Sequence, residues 1–351
     1  MNAARPMAAS ADLIGAAQSE RAGICPACDH PAEGVPLEVF HAASLYGCRN
    51  CDLHFWHPVS MPDAAWYERA YQGRDQTEMP LEPGHRFFLS DPKAPKSGRL
   101  LDLGCGTGNF LAAARDAGFD VTGIEMNRNA VQFARDRYRL ANVFAMRPEE
   151  FGASHEHEKF DVVTFFEVLE HQENPKGFLA AATECLASGG FIALSVPNRN
   201  RWQKGMETLD YPPNHLTRWR PRALENFLVR HGFEVLSMKE EPLKVRRAAG
   251  VLSMGLRTGM ASRVAGEPAL MMADLAAMEP QQMESAMKRL AESPRRKLTE
   301  RLVRWKNLAL VPAAAIAMPY LRLRQYKGLY LYCLARQRTP AGKSFVVDSS
   351  A

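Results

Sequence analysis

Short runs in which almost every position is apolar alternate along this chain with longer stretches whose apolar residues recur every three or four positions. Leu100, Leu101 and Leu103 form the first compact run, and Gly104, Gly106 and Gly108 follow it at once. From Phe110 the pattern Phe-Leu-Ala-Ala-Ala-Arg-Asp-Ala, stopped by Gly118, has the helical period. Val121 to Glu125, Asn142 to Ala145, Phe160 to Phe166 and Gly189 to Asn198 are further strand-like runs, with a helix expected over Ala130 to Leu140. Pro221 to Gly232 predicts an amphipathic helix ended by glycine, and Phe233 to Met238 a strand. Gly328 to Arg336 is the last strand-like run, so residues from about 241 to 327, helical in pattern, are expected to be an insertion. Strands alternating with helices predict a doubly wound α/β sheet.

The chemistry gathers at the ends of these runs. Glycines at 104, 106 and 108 remove the Cβ atoms, so the backbone can turn tightly and lie against a ligand at a helix N-terminus. The dinucleotide fingerprint requires a third glycine where Asn109 stands. Taken alone, such a turn is also the helix start of any α/β protein. Glu125 ends the second strand about twenty residues further on, where a carboxylate accepts hydrogen bonds from ribose hydroxyls. In that position it could equally cap the helix beginning at Asn127.

Asp102-Leu-Gly-Cys-Gly-Thr-Gly108, Val121 to Glu125, Phe160-Asp-Val-Val and Glu167-Val-Leu-Glu-His171, and Gly189 to Asn198 together resemble the successive motifs of class I S-adenosylmethionine (SAM)-dependent methyltransferases. The resemblance implies a seven-stranded Rossmann-like sheet in the order 3-2-1-4-5-7-6. It also implies a SAM site formed by Asp102, Gly104, Cys105, Gly106, Thr107, Gly108, Glu125, Met126 and the turn at Glu167. Relatives place an acid after the third strand for the adenine amino group. Glu149 stands in that turn, which also reads as a solvated loop.

Two cysteine pairs, Cys25-Pro-Ala-Cys28 and Cys48-Arg-Asn-Cys51, are separated by nineteen residues. Each forms a tight knuckle, and two knuckles complete a closed tetrahedral Zn²⁺ site, a structural rather than catalytic metal; a redox dithiol is the competing reading. The ribbon, followed by Trp66-Tyr-Glu-Arg-Ala-Tyr71, resembles the opening of a bacterial group within the same methyltransferases. By that resemblance Tyr67 or Tyr71 reaches the SAM carboxylate; otherwise both are core aromatics. The expected division is a tail over 1–22, a ribbon over 23–60, the catalytic domain over 61–340 with its insertion, and a tail over 341–351.

Composition narrows the partners. The 351 residues carry a net charge of +5, and 46% of them are hydrophobic, ordinary for a globular protein. Arg301 to Arg338 contains eight Lys/Arg and no Asp/Glu, which leaves the rest of the chain slightly acidic. Nucleic acid is therefore disfavoured as acceptor, and the ribbon between Cys25 and Cys51 has a single Arg and no Lys. No apolar run reaches the ~18 residues of a membrane span. Lacking also a secretory pattern, the chain is expected in the cytoplasm.

Trp305 to Arg324, apolar and flanked by basic and aromatic residues, suits either peripheral contact with an anionic membrane through about 301–327 or a hairpin buried on the domain. The methionines between Met254 and Met287 read as flexible core or as an adaptable lid. Asp210-Tyr-Pro-Pro-Asn-His-Leu-Thr-Arg-Trp219 resembles the loop at which acceptors approach in the same group. His215 there and His171 after the fourth strand are the candidate bases for a hydroxyl acceptor; each is otherwise a loop brace. The reading is a methyltransferase acting on a small-molecule, glycan or lipid-linked acceptor. The competing readings are a nucleic-acid or protein methyltransferase using the ribbon for recognition, and a non-catalytic SAM-binding scaffold.

Overall fold

A computed structural model describes residues 23–32, 34–62, 77–154, 158–201, 210–246, 248–249, 309–324 and 326–338. Both expected tails, Tyr67, Tyr71, and the methionine-rich part of the insertion lie outside the described residues.

After the first cysteine knuckle, β1 (Glu38–Phe40), β2 (Ala43–Gly47) and β3 (His54–His57) pair antiparallel. There follow α1 (Pro83–Ser90), β4 (Gly98–Leu103), α2 (Asn109–Asp116), β5 (Phe119–Glu125), α3 (Arg128–Tyr138), β6 (Val143–Ala145) and α4 (Pro148–Ser154). Next come β7 (Phe160–Phe166), α5 (Pro175–Glu184) and β8 (Leu186–Pro197). The last described elements are β9 (Thr217–Arg218), α6 (Pro221–Arg230), β10 (Phe233–Pro242), α7 (Val311–Leu323) and β11 (Lys327–Gln337).

Seven strands form the main sheet in the order β6-β5-β4-β7-β8-β11-β10. Counted along the chain, that is the expected 3-2-1-4-5-7-6. The five strands β4 to β8 run parallel, and β11 lies antiparallel between β8 and β10. The central strands read as continuous apolar runs because both of their faces are covered. Leu101, Leu103, Val163, Phe165 and Leu194 cluster with Phe178, Leu224 and Phe227 of α5 and α6. On the other face Leu100, Val162, Ala193 and Leu334 cluster with Phe88, Phe110, Leu111 and Ala134 of α1, α2 and α3.

β10 runs four residues past its expected end at Met238, through Lys239-Glu240-Glu241 to Pro242, with two register shifts against β11. Polar residues are tolerated there because β10 is an edge strand. Pro242 pairs with Lys327, so the two ends of the intervening segment leave from adjacent positions. On the near side of that segment, Leu243, Ala248 and Ala249 cluster with Ala314, Met318 and Leu321 of α7.

The ribbon is not a free module. β3 pairs on its far side with β9, which belongs to the loop leading into α6. Asp52 accepts from Arg199 at 3.0 Å and also from Arg220, and Trp56 is only 2% exposed in this joint. Sequence alone gave no sign of this pairing, because β9 is too short to show a hydrophobic period.

Candidate active site

A cavity of about 460 Å³ opens where β4, β5 and β7 end, as expected of a parallel sheet whose loops diverge there. Asp102, Gly104, Cys105, Gly106, Thr107, Glu125 and Met126 line one end of it, and Glu167, His171 and His215 belong to the same wall system. Candidates scattered over more than a hundred residues of sequence thus share one cleft.

At the first end, β4 stops at Leu103 and the chain turns through Gly104 (φ +80°) and Gly106 (φ +53°). The Gly104 and Cys105 N–H groups donate to the Ile124 carbonyl at 2.7 and 3.0 Å, tying the turn to β5. A Cβ on Gly104 would meet Val168 at 2.7 Å, whereas a Cβ on Gly106 would have nothing within 4 Å. Gly106 is therefore the residue that leaves room for a ligand. Gly108 departs from expectation: it does not line the cavity. It is the N-cap of α2 (φ +80°), and a Cβ there would press on Ala134 at 2.8 Å.

Glu125 closes this end. Its carboxylate accepts from the Gly106 N–H at 3.0 Å and from the Asn127 N–H at 2.9 Å, so strand end, glycine turn and helix start share one anionic hub. The capping bond to α3 is made by Asn127 itself, which accepts from Asn129 and Ala130. Glu149 lies in the first turn of α4, while Met146, Arg147 and Pro148 border the cavity.

Among the described residues six carboxyl groups, of Glu82, Asp102, Glu125, Glu167, Glu170 and Asp210, line the cavity. Burial pushes the Asp102 carboxyl up to about 7, against the stabilising bond from Thr164 Oγ1 at 2.6 Å. Burial pushes Glu167 up to about 8, with Glu82 adding repulsion. Burial also raises Glu82 and Glu125. Glu167 sits in the left-handed region (φ +56°), a conformation that costs a non-glycine residue ~1–3 kcal/mol. Two bonds to Ser195 hold it there, from the Glu167 N–H to the Ser195 carbonyl at 2.9 Å and from Ser195 Oγ to the carboxylate at 2.8 Å.

The opposite end is a compact corner. Glu170, 1% exposed, has both carboxyl oxygens without a hydrogen-bond partner. His171 Nε2 and His215 Nε2 stand 3.8 and 3.9 Å from its Oε1. His171 Nδ1–H donates to the Asn214 carbonyl at 2.7 Å, which turns Nε2 inward. His215 Nδ1 faces Asp210 Oδ1 at 3.7 Å, and Asp210 is held by the Arg201 guanidinium. Burial would raise Asp210, but its hydrogen bond with His215 and the Arg201 charge take it below the ordinary carboxylate range. Burial lowers His171 to about 3, with His215 adding repulsion, and lowers His215 as well. Burial raises Glu170 well above its usual value. The corner thus sets one carboxyl against two imidazoles, with burial disfavouring the charged form of each, and its three ligand atoms lie within 4.8 Å of one another.

Glu170, Asp210, Arg201 and Glu82 were not singled out from sequence. The only signal for Glu170 was its place three residues after Glu167 and beside His171, which puts it on the short 3₁₀ turn Leu169–His171. Asp210 and Arg201 become visible only when their loops are packed.

The four ribbon cysteines gather as expected. Cys25 and Cys51 Sγ are 3.5 Å apart, as are Cys28 and Cys48. Zn–S bonds of ~2.3 Å in a tetrahedron place sulfurs ~3.8 Å apart, so four converging thiols fit zinc closely. The Cys25 thiol, hydrogen-bonded to Cys51, draws Cys51 down to about 5, leaving a thiolate ready for a cation. Cys25, Cys28, Cys48 and Cys51 would hold such an ion, which would brace the ribbon and leave no open coordination position.

Two outcomes follow for the first end. Gly106→Arg places a side chain in the ligand space and strains a left-handed turn by ~1–2 kcal/mol; calorimetry with S-adenosylhomocysteine should show affinity reduced by at least ~10-fold, and unchanged affinity refutes the cradle. The raised carboxyls set the pH dependence: a cationic ligand must displace protons from groups at about 7 and about 8, Asp102 and Glu167. SAM affinity should therefore fall as pH drops through this range, with proton release seen as a binding enthalpy that differs between buffers of different ionisation heat. For the ligand-free protein Asp102 and Glu167 hold protons that the unfolded chain has lost, so thermal stability should fall as pH rises from ~7 to ~8, above the range in which the buried His171 and His215, neutral when folded, act in the opposite sense.

Comparison with known proteins agrees with this geometry. Residues 71–238 match a family model described as a methyltransferase domain. A ubiquinone biosynthesis O-methyltransferase of Thiobacillus denitrificans is 35% identical over 120 residues, covering 33% of this chain and 51% of that protein. The protein of the same name from Bordetella avium is 30% identical over 168 residues, covering 45% of this chain and 64% of that protein. The chain thus spans between about half and two thirds of the length of these curated relatives. A SAM-dependent methyltransferase from Geobacter sulfurreducens, solved with S-adenosylhomocysteine, has a TM-score of 0.44 at 15% identity, covering 80% of this chain and all of that one. Residues 71–238 thus match the methyltransferase-domain family, and the sheet order, the glycine turn and Glu125 are in keeping with a SAM-dependent methyltransferase.

Proposed function

We propose that the chain transfers a methyl group from SAM to a hydroxyl oxygen of a small acceptor, a phenol either free or lipid-linked. The observation that carries this reading is a single cleft with the glycine turn and Glu125 at one end and Glu170, His171 and His215 at the other. The names of the curated relatives support oxygen as the methylated atom and a quinone precursor as the acceptor class. A glycan hydroxyl is the alternative acceptor. SAM supplies an already activated methyl when bound, so the residues have mainly to align the acceptor and manage one proton.

Gly104, Gly106 and Glu125 would hold the nucleoside, and the acidic lining favours the positively charged sulfonium over its neutral product. His215 Nε2 would take the hydroxyl proton, with the charge that forms on the ring stabilised by Asp210 across Nδ1. His171 would fix the acceptor oxygen from the other side. A second reading is favoured by the two unpartnered Glu170 oxygens: a divalent cation held by Glu170, His171 and His215 would bind the hydroxyl and lower its pKa.

Nucleic-acid recognition by the ribbon gains no support, since its last strand is paired to β9 and its Asp52 is taken by Arg199 and Arg220. Membrane contact is supported by α7, where Ile316 (82% exposed), Tyr320 (62%) and Leu323 (81%) stand at helical spacing beside Arg322 and Arg324. Among the described residues no helix is long and apolar enough to cross a membrane, so such contact would be interfacial.

The test uses catechol and methyl-labelled SAM. Label should enter catechol, and His215→Ala should lower kcat/KM by ~10²–10⁴-fold with S-adenosylhomocysteine affinity retained; absence of label from catechol and from a lipid extract overturns the reading. Pretreatment with EDTA separates the two versions. Loss of turnover restored by Mg²⁺ or Mn²⁺ points to the cation, because thiolates select zinc instead; unaffected turnover points to His215 acting alone. Co-sedimentation with vesicles containing anionic lipid should fall when Ile316, Tyr320 and Leu323 are changed together to Ser, and identical co-sedimentation excludes α7 as the contact.

A further inference from the structure

The last strand of the cysteine ribbon is built into the wall of the acceptor corner. His54 and Phe55 pair with Arg218 and Thr217. At the next residue, Trp56, the backbone N–H donates to the Leu216 carbonyl at 3.0 Å, and the indole Nε1–H donates to the Asp210 carbonyl at 3.1 Å. One residue therefore grips both ends of the run from 210 to 216. That run carries Asp210, which faces His215 Nδ1, and Asn214, which receives the His171 Nδ1–H. The Leu216 N–H in turn donates to the Glu170 carbonyl at 2.8 Å.

The grip is rigid on the ribbon side. Trp56 is 2% exposed, clusters with Ala43 and Leu45, and lies 5.7 Å from the Tyr211 ring and 6.2 Å from the Phe40 ring, centre to centre. Two residues before β3 begins, the knuckle that holds Cys48 and Cys51 ends in Asp52, bonded to Arg199 and Arg220 of the catalytic domain. A shift of the 210–216 run would leave a buried indole N–H or peptide N–H unpaired, which a dry interior penalises.

We propose that Trp56, a residue of the cysteine ribbon, is a positioning residue for His215, so that the thiol-bearing module sets the geometry of the acceptor corner. Through Trp56 the ribbon acts on the acceptor end, while the glycine turn and Glu125 make no bond to it. The proposal rests on the reading of His215 as the group that meets the acceptor, but its measurements need no acceptor.

Trp56→Phe retains a buried ring and removes only the indole donor. In this variant, amide hydrogen exchange across 210–216 should accelerate at least ~10-fold, and the His215 Cε1–H resonance at one fixed pH should move. S-adenosylhomocysteine affinity should stay within ~2-fold, and with catechol the loss should fall on kcat rather than on the KM for SAM. Phe55→Leu, a comparable lesion in the same strand that spares the indole bond, should lower the melting temperature without moving the His215 resonance. Equal effects of the two variants, or unchanged exchange in Trp56→Phe, overturn the proposal. Should Trp56→Phe not fold, the unaltered protein decides: its Trp56 indole N–H and the 210–216 amides should exchange at matching, protected rates, and a freely exchanging indole overturns it. A protein that transfers no label to catechol but shows these exchange and resonance effects refutes the acceptor reading alone.

Discussion

The structure is organised by the cost of burying carboxyl groups where no cation balances them. Asp102, Glu125, Glu167 and Glu170 end up at the carboxyl edge of a parallel sheet, two of them almost wholly out of water. Each is kept tolerable by a different device. Thr164 bonds Asp102, two peptide N–H groups bond Glu125, Ser195 bonds Glu167, and Glu170 stands between two imidazoles, with burial pushing its carboxyl up. Such a cleft is unsatisfied by water alone, and its natural complement is positive charge brought by a ligand. A sulfonium nucleoside at one end and a proton or cation at the other meet that requirement separately.

Much of this was legible in the sequence because the parallel strands announce themselves. Leu100 and Leu101 are both apolar, one facing each side, because helices cover both faces, and the glycines follow Leu103 immediately because the turn is left-handed at Gly104 and Gly106. The sheet order was what the resemblance to class I methyltransferases implied, and the motifs that carry the resemblance sit at strand ends. Less was legible where pairing depends on partners distant along the chain. Asp210 gains its meaning from Arg201 and His215, and β9 is two residues long and exists only because β3 lies alongside. Gly108 shows a role that the motif did not announce: a Cβ there would press on Ala134, so the absence of a side chain also serves the packing of α2 on α3.

The cysteine ribbon changes meaning for the same reason. Spacing identified the thiol knuckles, and a closed thiol set implied a structural role. What spacing could not show is the object being stabilised. β3 and Asp52 tie the ribbon to residues on both sides of the acceptor loop, so the small module and the large sheet share one wall. That pairing puts the ribbon at the position from which, on the proposal above, it steadies the wall.

The pairing of Pro242 with Lys327 bears on how such proteins diversify. When a chain leaves and re-enters a sheet one strand spacing apart, closing the excursion costs free energy that grows only with the logarithm of its length, ~0.6 kcal/mol per doubling. The edge hairpin of this sheet is therefore a graft point, at which material can be lengthened, exchanged or trimmed while the strand register beneath it, and the nucleoside cleft beyond that, go undisturbed. Tyr330, three residues after the re-entry, reaches the cleft lining, so what is grafted there arrives beside the cleft itself.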